Sequence, residues 1–389
     1  MHHQRVLRPP HSHHHVPLWE YMHPLGLWIR KNIVLSIAAV AAILTMCIVP
    51  PDAQYTSYFD WKTLTCLFCV LAVVCALKNI RFFTILARKI VKTTGNLRTS
   101  VLALVYITFI GSMLIANDMA LLTFLPLGYF VLSSTGKEKH MAFVFILQNI
   151  AANLGGMLTP FGNPQNLYIY TKFQIPTLEF MLIMLLPFLA AIALITLCCL
   201  FFPKEPLTIT ESCEAHLPWK RTLVYLLLFM LSIVIVFRII PYQIGLIIIP
   251  SVLFWMDRKA LKMVDYPLLL TFVCFFIFSG NLARVPAVSH LLSALLEKST
   301  LLVTALSCQI ISNVPSAILL SQFTADYPSL LLGVNIGGTG TIISSLASLI
   351  TLREYSKHNP ENTGSYLAKF SVLNFSFLGV LLILCSFLV

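Results

Sequence analysis

Charged side chains are scarce in this chain. Asp, Glu, Lys and Arg make up 11% of its 389 residues, against 58% apolar residues. So little charge cannot solvate a soluble domain of this length, which excludes a water-soluble globule and predicts an all-α polytopic membrane protein. A Walker nucleotide motif is absent, so energy from ATP bound to this chain is excluded. The apolar runs also lack paired acids, metal-spaced histidines and a Ser/Lys pair, which argues against an intramembrane enzyme. No cleavable signal sequence is visible: the first 30 residues are polar, His-rich and Pro-containing, and they run into a span. The ten cysteines lie mostly inside apolar runs, where they act as small hydrophobes. Cys66 and Cys69 form a CxxC with no second pair, so no redox or metal role is assigned.

What the chain does have is a membrane span interrupted at Asn153-Leu154-Gly155-Gly156-Met157-Leu158-Thr159-Pro160-Phe161-Gly162-Asn163-Pro164. Glycine and proline break the backbone ladder, and lipid cannot satisfy the freed groups. Such a break survives only against protein or a watery cavity. The phrase returns as Asn335-Ile336-Gly337-Gly338-Thr339-Gly340-Thr341. Upstream of the breaks stand Ala116-Asn117-Asp118 and Ser312-Asn313-Val314, each between two apolar arms. Paired interruptions, one in each half, point to a transporter's binding site.

The organisation follows from these landmarks. Residues 1–32 read as a cytosolic tail, whose histidines lack any fixed ligand geometry. Residues 33–202 form a first repeat, with a re-entrant hairpin at 100–132 and a broken helix at 141–170. The hairpin arms count about 12–16 apolar residues, and an arm of 12 reaches roughly 18 Å, short of the ~30 Å bilayer core. Residues 203–241 are a linker plus an extra span. Residues 242–389 are the second repeat, with a hairpin at 301–325 and a broken helix at 327–352. Arg81–Lys92 and Leu282–Lys298 read as interfacial helices. Arg284 and His290 on the latter are expected to face solvent or lipid.

Five crossings precede the second repeat, so it starts from the opposite face: an inverted-topology repeat. With the N-terminus cytoplasmic, 21 of the 26 Lys and Arg fall on the cytosolic side. Only Lys62, Lys172, Arg238, Arg284 and Lys298 fall outside, following the positive-inside rule through nine crossings. The net charge of +11 is thus topological and calls for no nucleic acid partner. A multi-pass protein of the plasma (inner) membrane is expected, with its C-terminus outside.

Helix N-termini at mid-membrane suit an anion, and broken-helix carbonyls with Asn side chains suit a small cation. The candidate substrate- or ion-binding set from the first half is Asn117, Asp118, Thr123, Asn153, Gly155, Gly156, Thr159, Asn163 and Asn166. The second half supplies Ser312, Asn313, Ser316, Asn335, Gly337, Gly338, Thr339, Thr341, Ser344 and Ser345. Such small polar residues also glue helices together, and a scattered Ser or Thr reads that way first. Asp118 is the acid placed deep in an apolar segment, a candidate proton or cation carrier. A coupling sodium ion would fall to Asn117, Asn153, Asn313 and Asn335. No cofactor is expected beyond a coupling proton or sodium ion.

The two tips, the segment Gly162-Asn163-Pro164-Gln165-Asn166, and Gly333-Val334-Asn335-Ile336-Gly337-Gly338 with Ser345-Leu346-Ala347-Ser348-Leu349 resemble the ion transporter superfamily from about Ile33 onward. That superfamily includes citrate-type and divalent-anion/sodium symporters, arsenite efflux permeases and a class of sodium/proton antiporters. In the divalent-anion symporters each tip reads Ser-Asn-Thr, so only Asn117, Ser312 and Asn313 carry over; the Asn-Asp tip is similar to the arsenite branch. The resemblance implies a fixed scaffold, a moving transport part with an elevator-like motion, and often a homodimer. The function expected is secondary active transport of a small anion, citrate- or dicarboxylate-like or an inorganic oxyanion, coupled to protons or sodium. Sodium/proton antiport and arsenite efflux on the same fold are the alternatives within transport; a membrane receptor is the alternative outside it.

Overall fold

A computed structural model describes residues 32–210 and 216–389. The His-rich tail, and whether it binds metal, lie outside these residues. The described chain is helical throughout, with one isolated β-bridge between Asn96 and Pro206. The first half comprises α1 (Ile33–Ile48), α2 (Trp61–Asn79), α3 (Phe82–Lys92), α4 (Leu97–Ile115), α5 (Asn117–Ser134), α6 (Met141–Gly155), α7 (Pro164–Lys172) and α8 (Thr177–Leu200). The second comprises α9 (Trp219–Val236), α10 (Tyr242–Met256), α11 (Arg258–Met263), α12 (Tyr266–Ala283), α13 (Pro286–Lys298), α14 (Thr300–Ile311), α15 (Asn313–Leu320), α16 (Tyr327–Ile336), α17 (Ala347–His358) and α18 (Thr363–Ser386).

Seven helices among the described residues are long and apolar enough to cross a membrane: α2, α4, α6 with its flanking turns, α8, α9, α12 and α18. The arms of the first tip are longer than the apolar run indicates. α4 has 19 residues and α5 has 18, each about 27–28 Å at 1.5 Å per residue. Asn96 explains the early start of α4: its side chain accepts from the Thr99 N–H at 3.0 Å and caps a polar first turn that hydropathy ignores. Pro126 sits inside α5 without ending it. The second pair is short, 12 residues in α14 and 8 in α15, and α13 meets α14 at 119°.

Both tips turn by the same backbone device. Ala116 has φ 70° and ψ 160°, and Ser312 has φ 78° and ψ 168°. Each stands just before the tip asparagine. Asn117 Oδ1 accepts from the Asp118 N–H at 2.9 Å, and Asn313 Oδ1 accepts from the Val314 N–H at 2.8 Å. Glycine at each break lets a hairpin arm seat closely. A Cβ on Gly155 would lie 2.1 Å from the Phe109 carbonyl oxygen and 2.4 Å from Ser112 Oγ. One on Gly337 would lie 2.9 Å from Cys308. Ser112 and Cys308 each stand four residues before their tip, so the two halves pack alike.

Two packing groups emerge. α2 packs against α9, α10 and α11, while α1 packs along α12. α4, α5, α6 and α17 pack together, as do α14, α15, α16 and α7. Cys66 and Cys69 are buried on α2. Sidedness is legible at the helix ends. Asn79, closing α2, donates to Asp257 Oδ2 at 3.0 Å, and Arg221, opening α9, donates to the Met256 carbonyl at 2.8 Å. These basic-rich ends share one face; Lys62 at the start of α2 and Arg238 after α9 mark the other.

Candidate functional site

Both tips line one cavity of about 340 Å³. Six helices begin there: α1, α5, α7, α12, α15 and α17, contributing Ile33, Asn117 and Asp118, Pro164 and Gln165, Pro267 and Leu268, Asn313 to Pro315, and Ser345 with Leu346. Four of these are matched between the halves: the second hairpin arms α5 and α15, and the post-break helices α7 and α17. Each N-terminus leaves backbone N–H groups unpaired and carries partial positive charge. Their convergence sets partial positive dipoles around the cavity, alongside the carboxylates of Asp118 and Asp265 and the guanidinium of Arg353. Arg353 and Asp265, both exposed, lie toward the face where α1 and α12 begin.

Behind the lining, amides and hydroxyls tie tips to breaks. Ser345 Oγ donates to Asn153 Oδ1 at 2.7 Å, and Asn117 Nδ2 reaches the same oxygen at 3.3 Å and Ser345 Oγ at 3.4 Å. The Asn313 N–H donates to the Ser344 carbonyl at 3.1 Å. The two breaks bond directly: Asn335 Nδ2 donates to Asn166 Oδ1 at 2.6 Å, and Asn163 Nδ2 donates to Asn335 Oδ1 at 3.2 Å. Asn166 Nδ2 in turn serves the carbonyls of Gly156 and Met157 at 3.2 and 3.1 Å. The interruptions therefore lie together, and their backbone groups are satisfied by protein.

Of the sequence-predicted residues, Asn117, Asp118, Ser312, Asn313 and Ser345 line the cavity. Asn153 stands one hydrogen bond behind it. Asn163, Asn166 and Asn335 form the seam between the breaks; Gly155 and Gly337 seat each break against its hairpin arm, Gly156 closes the first break on Gly162, and Gly338 lies beside the Asn335 carbonyl and the Asn313 amide. Thr159 is buried with an unpartnered hydroxyl. Thr123, Ser316, Thr339 and Ser344 spend their hydroxyls on nearby carbonyls. Thr341 donates from its hydroxyl to the Gln309 carbonyl and from its N–H to Gln309 Oε1. These last five are brace residues, not cavity groups.

Sequence reasoning passed over several participants. Gln165 is 2% exposed, lines the cavity and leaves its Oε1 without a partner. It stands inside a segment already marked by Asn163 and Asn166, which was the available signal. Gln309 donates to the Gly337 and Thr339 carbonyls, both at 3.0 Å, doing for the second break what Asn166 does for the first. Asn149, Ser348 and Thr351 extend the network, with Thr351 Oγ1 donating to Asn149 Oδ1 at 2.8 Å. Asp265 joins Asp118 on the cavity, so Asp118 is not its one acid. Pro315, two residues beyond the tip asparagine Asn313, also lines the cavity. Arg284, expected to face solvent or lipid, follows α12 and binds Asp52 Oδ2 at 2.6 Å in an exposed pair and the Tyr58 hydroxyl at 3.0 Å. Asp52 and Arg284 stand 232 residues apart in the sequence, so no local pattern marked the pair.

Known proteins resemble this sequence. The citrate transporter family's profile matches residues 25–329. An uncharacterized transporter of Methanocaldococcus jannaschii is 31% identical over 322 residues, 82% of this chain and 88% of that protein. The Escherichia coli inner membrane protein YbiR is 30% identical over 308 residues, 77% of this chain and 81% of that protein. The matched region takes in both hairpin tips, the first break and the extra span, so this chain, a membrane transporter and not an enzyme, belongs to the citrate transporter family.

Proposed function

We propose that the chain is a secondary active carrier of a small anion, a di- or tricarboxylate or an inorganic oxyanion, driven by a proton or sodium gradient. The observation that carries this reading is the meeting of six helix N-termini in one cavity. Together they favour a negatively charged cargo, and the tips with Gln165 and Ser345 supply uncharged polar groups that can exchange for its water shell. A volume of about 340 Å³ suits a molecule of citrate size. Asp118 makes no ion pair among the described residues and faces the same cavity, which fits it to carry the coupling proton or cation.

Inverted topology is supported by helix direction. α1 begins at the cavity face, whereas its counterpart α10 begins at the opposite face with Tyr242. α2 and α12 likewise run oppositely. Elevator motion would slide the tips, the breaks and the helices packed on them past the group around α2, α9 and α10. Uptake of radiolabelled citrate, succinate, sulfate, phosphate and arsenite into proteoliposomes, under a proton or sodium gradient, tests the reading. Gradient-driven uptake of one of them that Asn335→Ala abolishes is the expected result; no anion flux under either gradient would overturn it.

A second reading, cation/proton antiport, is favoured by the two carboxylates of Asp118 and Asp265 on one cavity. A pH-dependent sodium flux with no anion present would select it.

A further inference from the structure

A larger cavity, about 960 Å³, opens on the opposite face. Four different elements each give it one cation. Lys62 comes from the first turn of α2, Lys172 ends α7, Arg238 follows α9 and Arg284 follows α12. On the topology read from the sequence, this face holds five basic residues, and four of them meet here. Membrane insertion works against cations on that side, so their gathering in one hollow asks for a cause.

The charges are not cancelled locally. Arg284 is paired with Asp52. Asp60 caps α2, its Oδ1 accepting from the Thr63 N–H at 3.0 Å and its Oδ2 from the Thr63 hydroxyl at 2.7 Å. Arg238 is held by carbonyls alone, donating to Ile175 at 3.0 Å and Tyr170 at 2.8 Å, with its guanidinium 4.0 Å over the Tyr170 ring. Its Nε is buried and unpartnered. Lys62 and Lys172 make no hydrogen bond or ion pair within the described residues. Four cations thus face two carboxylates, leaving a surplus of two positive charges around a space large enough for a hydrated anion.

We propose that this vestibule is a second anion site, separate from the central cavity, which takes a small divalent or trivalent oxyanion or carboxylate between Lys62, Lys172 and Arg238. The same phosphate or carboxylate chemistry could be supplied by a free anion or by an anionic lipid headgroup. The site goes beyond the carrier reading and does not depend on it. Its relation to the central cavity is given by α7, which begins in that cavity at Pro164 and ends in the vestibule at Lys172, about 12 Å along the helix axis. Tyr168, on α7 at the vestibule floor, shares a 2.7 Å hydroxyl hydrogen bond with Ser321 beyond α15. An anion held there is concentrated one short helix away from the central cavity, the focusing effect of a like-signed cleft.

Trp61 lines the vestibule and reports on it. The purified full chain is titrated with citrate, sulfate and inorganic phosphate while tryptophan emission is followed, with Trp61→Phe as the control for signal origin. A saturable Trp61-dependent change is expected. It weakens at least tenfold in the double variant Lys62→Gln/Lys172→Gln, about threefold in either single variant, and survives in Asn153→Ala. In a second arm, nanodiscs of phosphatidylcholine are compared with ones containing phosphatidylglycerol. A Lys-dependent change on adding phosphatidylglycerol alone assigns the site to a headgroup, and one with citrate or sulfate assigns it to a free anion. Absence of any Trp61 response to all these probes, or equal affinity in the wild type and all three Lys variants, overturns the site. Because Asn153→Ala leaves the vestibule intact, failure of the vestibule and failure of the central carrier reading are told apart.

Discussion

Asn153 is the residue where tip and breaks are joined: its Oδ1 receives Ser345 and Asn117, and its Nδ2 reaches Ser348 at 3.4 Å. Removing the amide takes the acceptor of the buried Ser345 hydroxyl, at roughly 1 kcal/mol, and one of two partners each from Asn117 and Ser348, which keep Ser345 and Asn149. Asn153→Ala is expected to reach the membrane at normal abundance yet lose substrate uptake by more than tenfold, which quantitative immunoblotting beside a flux assay would check. Asp118 has the opposite character, a carboxylate facing space. With Asp118→Asn we expect gradient-driven accumulation to fall at least tenfold while exchange of labelled for unlabelled substrate across proteoliposomes persists. Loss of both activities together would make Asp118 a structural group and not a coupling one.

At the scale of elements, the tips store strain and the breaks need closeness. Positive φ with extended ψ is a region that side chains avoid, at a cost on the order of 1–3 kcal/mol. Ala116→Gly should therefore raise the thermal midpoint in detergent, by the equivalent of about 1 kcal/mol. Gly155→Ala should lower it, by about 1–3 kcal/mol, since the new methyl group meets the Phe109 carbonyl oxygen. The Gly-Gly pairs and tip asparagines were legible in the sequence because breaking a membrane helix demands unusual residues. The true arm lengths were not. A hydropathy count starts at Ser100 and misses the capped turn that begins α4 at Leu97. Gln309 and Asn149 were hidden for a related reason: a lone amide on a helix carries no sign of which distant carbonyl or hydroxyl it meets.

For the whole molecule, the linker is clamped back onto the first half. The Leu97 N–H donates to the Glu205 carbonyl at 2.8 Å, and Lys137 Nζ lies 2.7 Å from Glu205 Oε2. That hydrogen bond with Lys137 holds the Glu205 carboxyl below its usual range. A depressed carboxylate stabilises the fold above its unfolded value, near 4.3, and the contribution fades as pH falls through the folded value. Glu205→Gln should accordingly be less thermostable than wild type at pH 7, with the gap closing in the acid range, as melting curves over pH would show. The distribution of Lys and Arg made the two faces readable from sequence. The vestibule was not, because its four cations are spread between residues 62 and 284 and only the fold assembles them.

The central chamber has one further implication. Apart from Arg353 toward one face, the donors lining it are tip amides, hydroxyls and backbone dipoles, so a doubly negative passenger, were that the cargo, would keep its charge while it moved. The membrane voltage then acts on the cargo itself, at about 2.3 kcal/mol per elementary charge for each 100 mV. For a doubly negative cargo entering a negative cell interior, two monovalent cations travelling alongside would make the step electroneutral, and a third would make the current inward-positive and the voltage a helper.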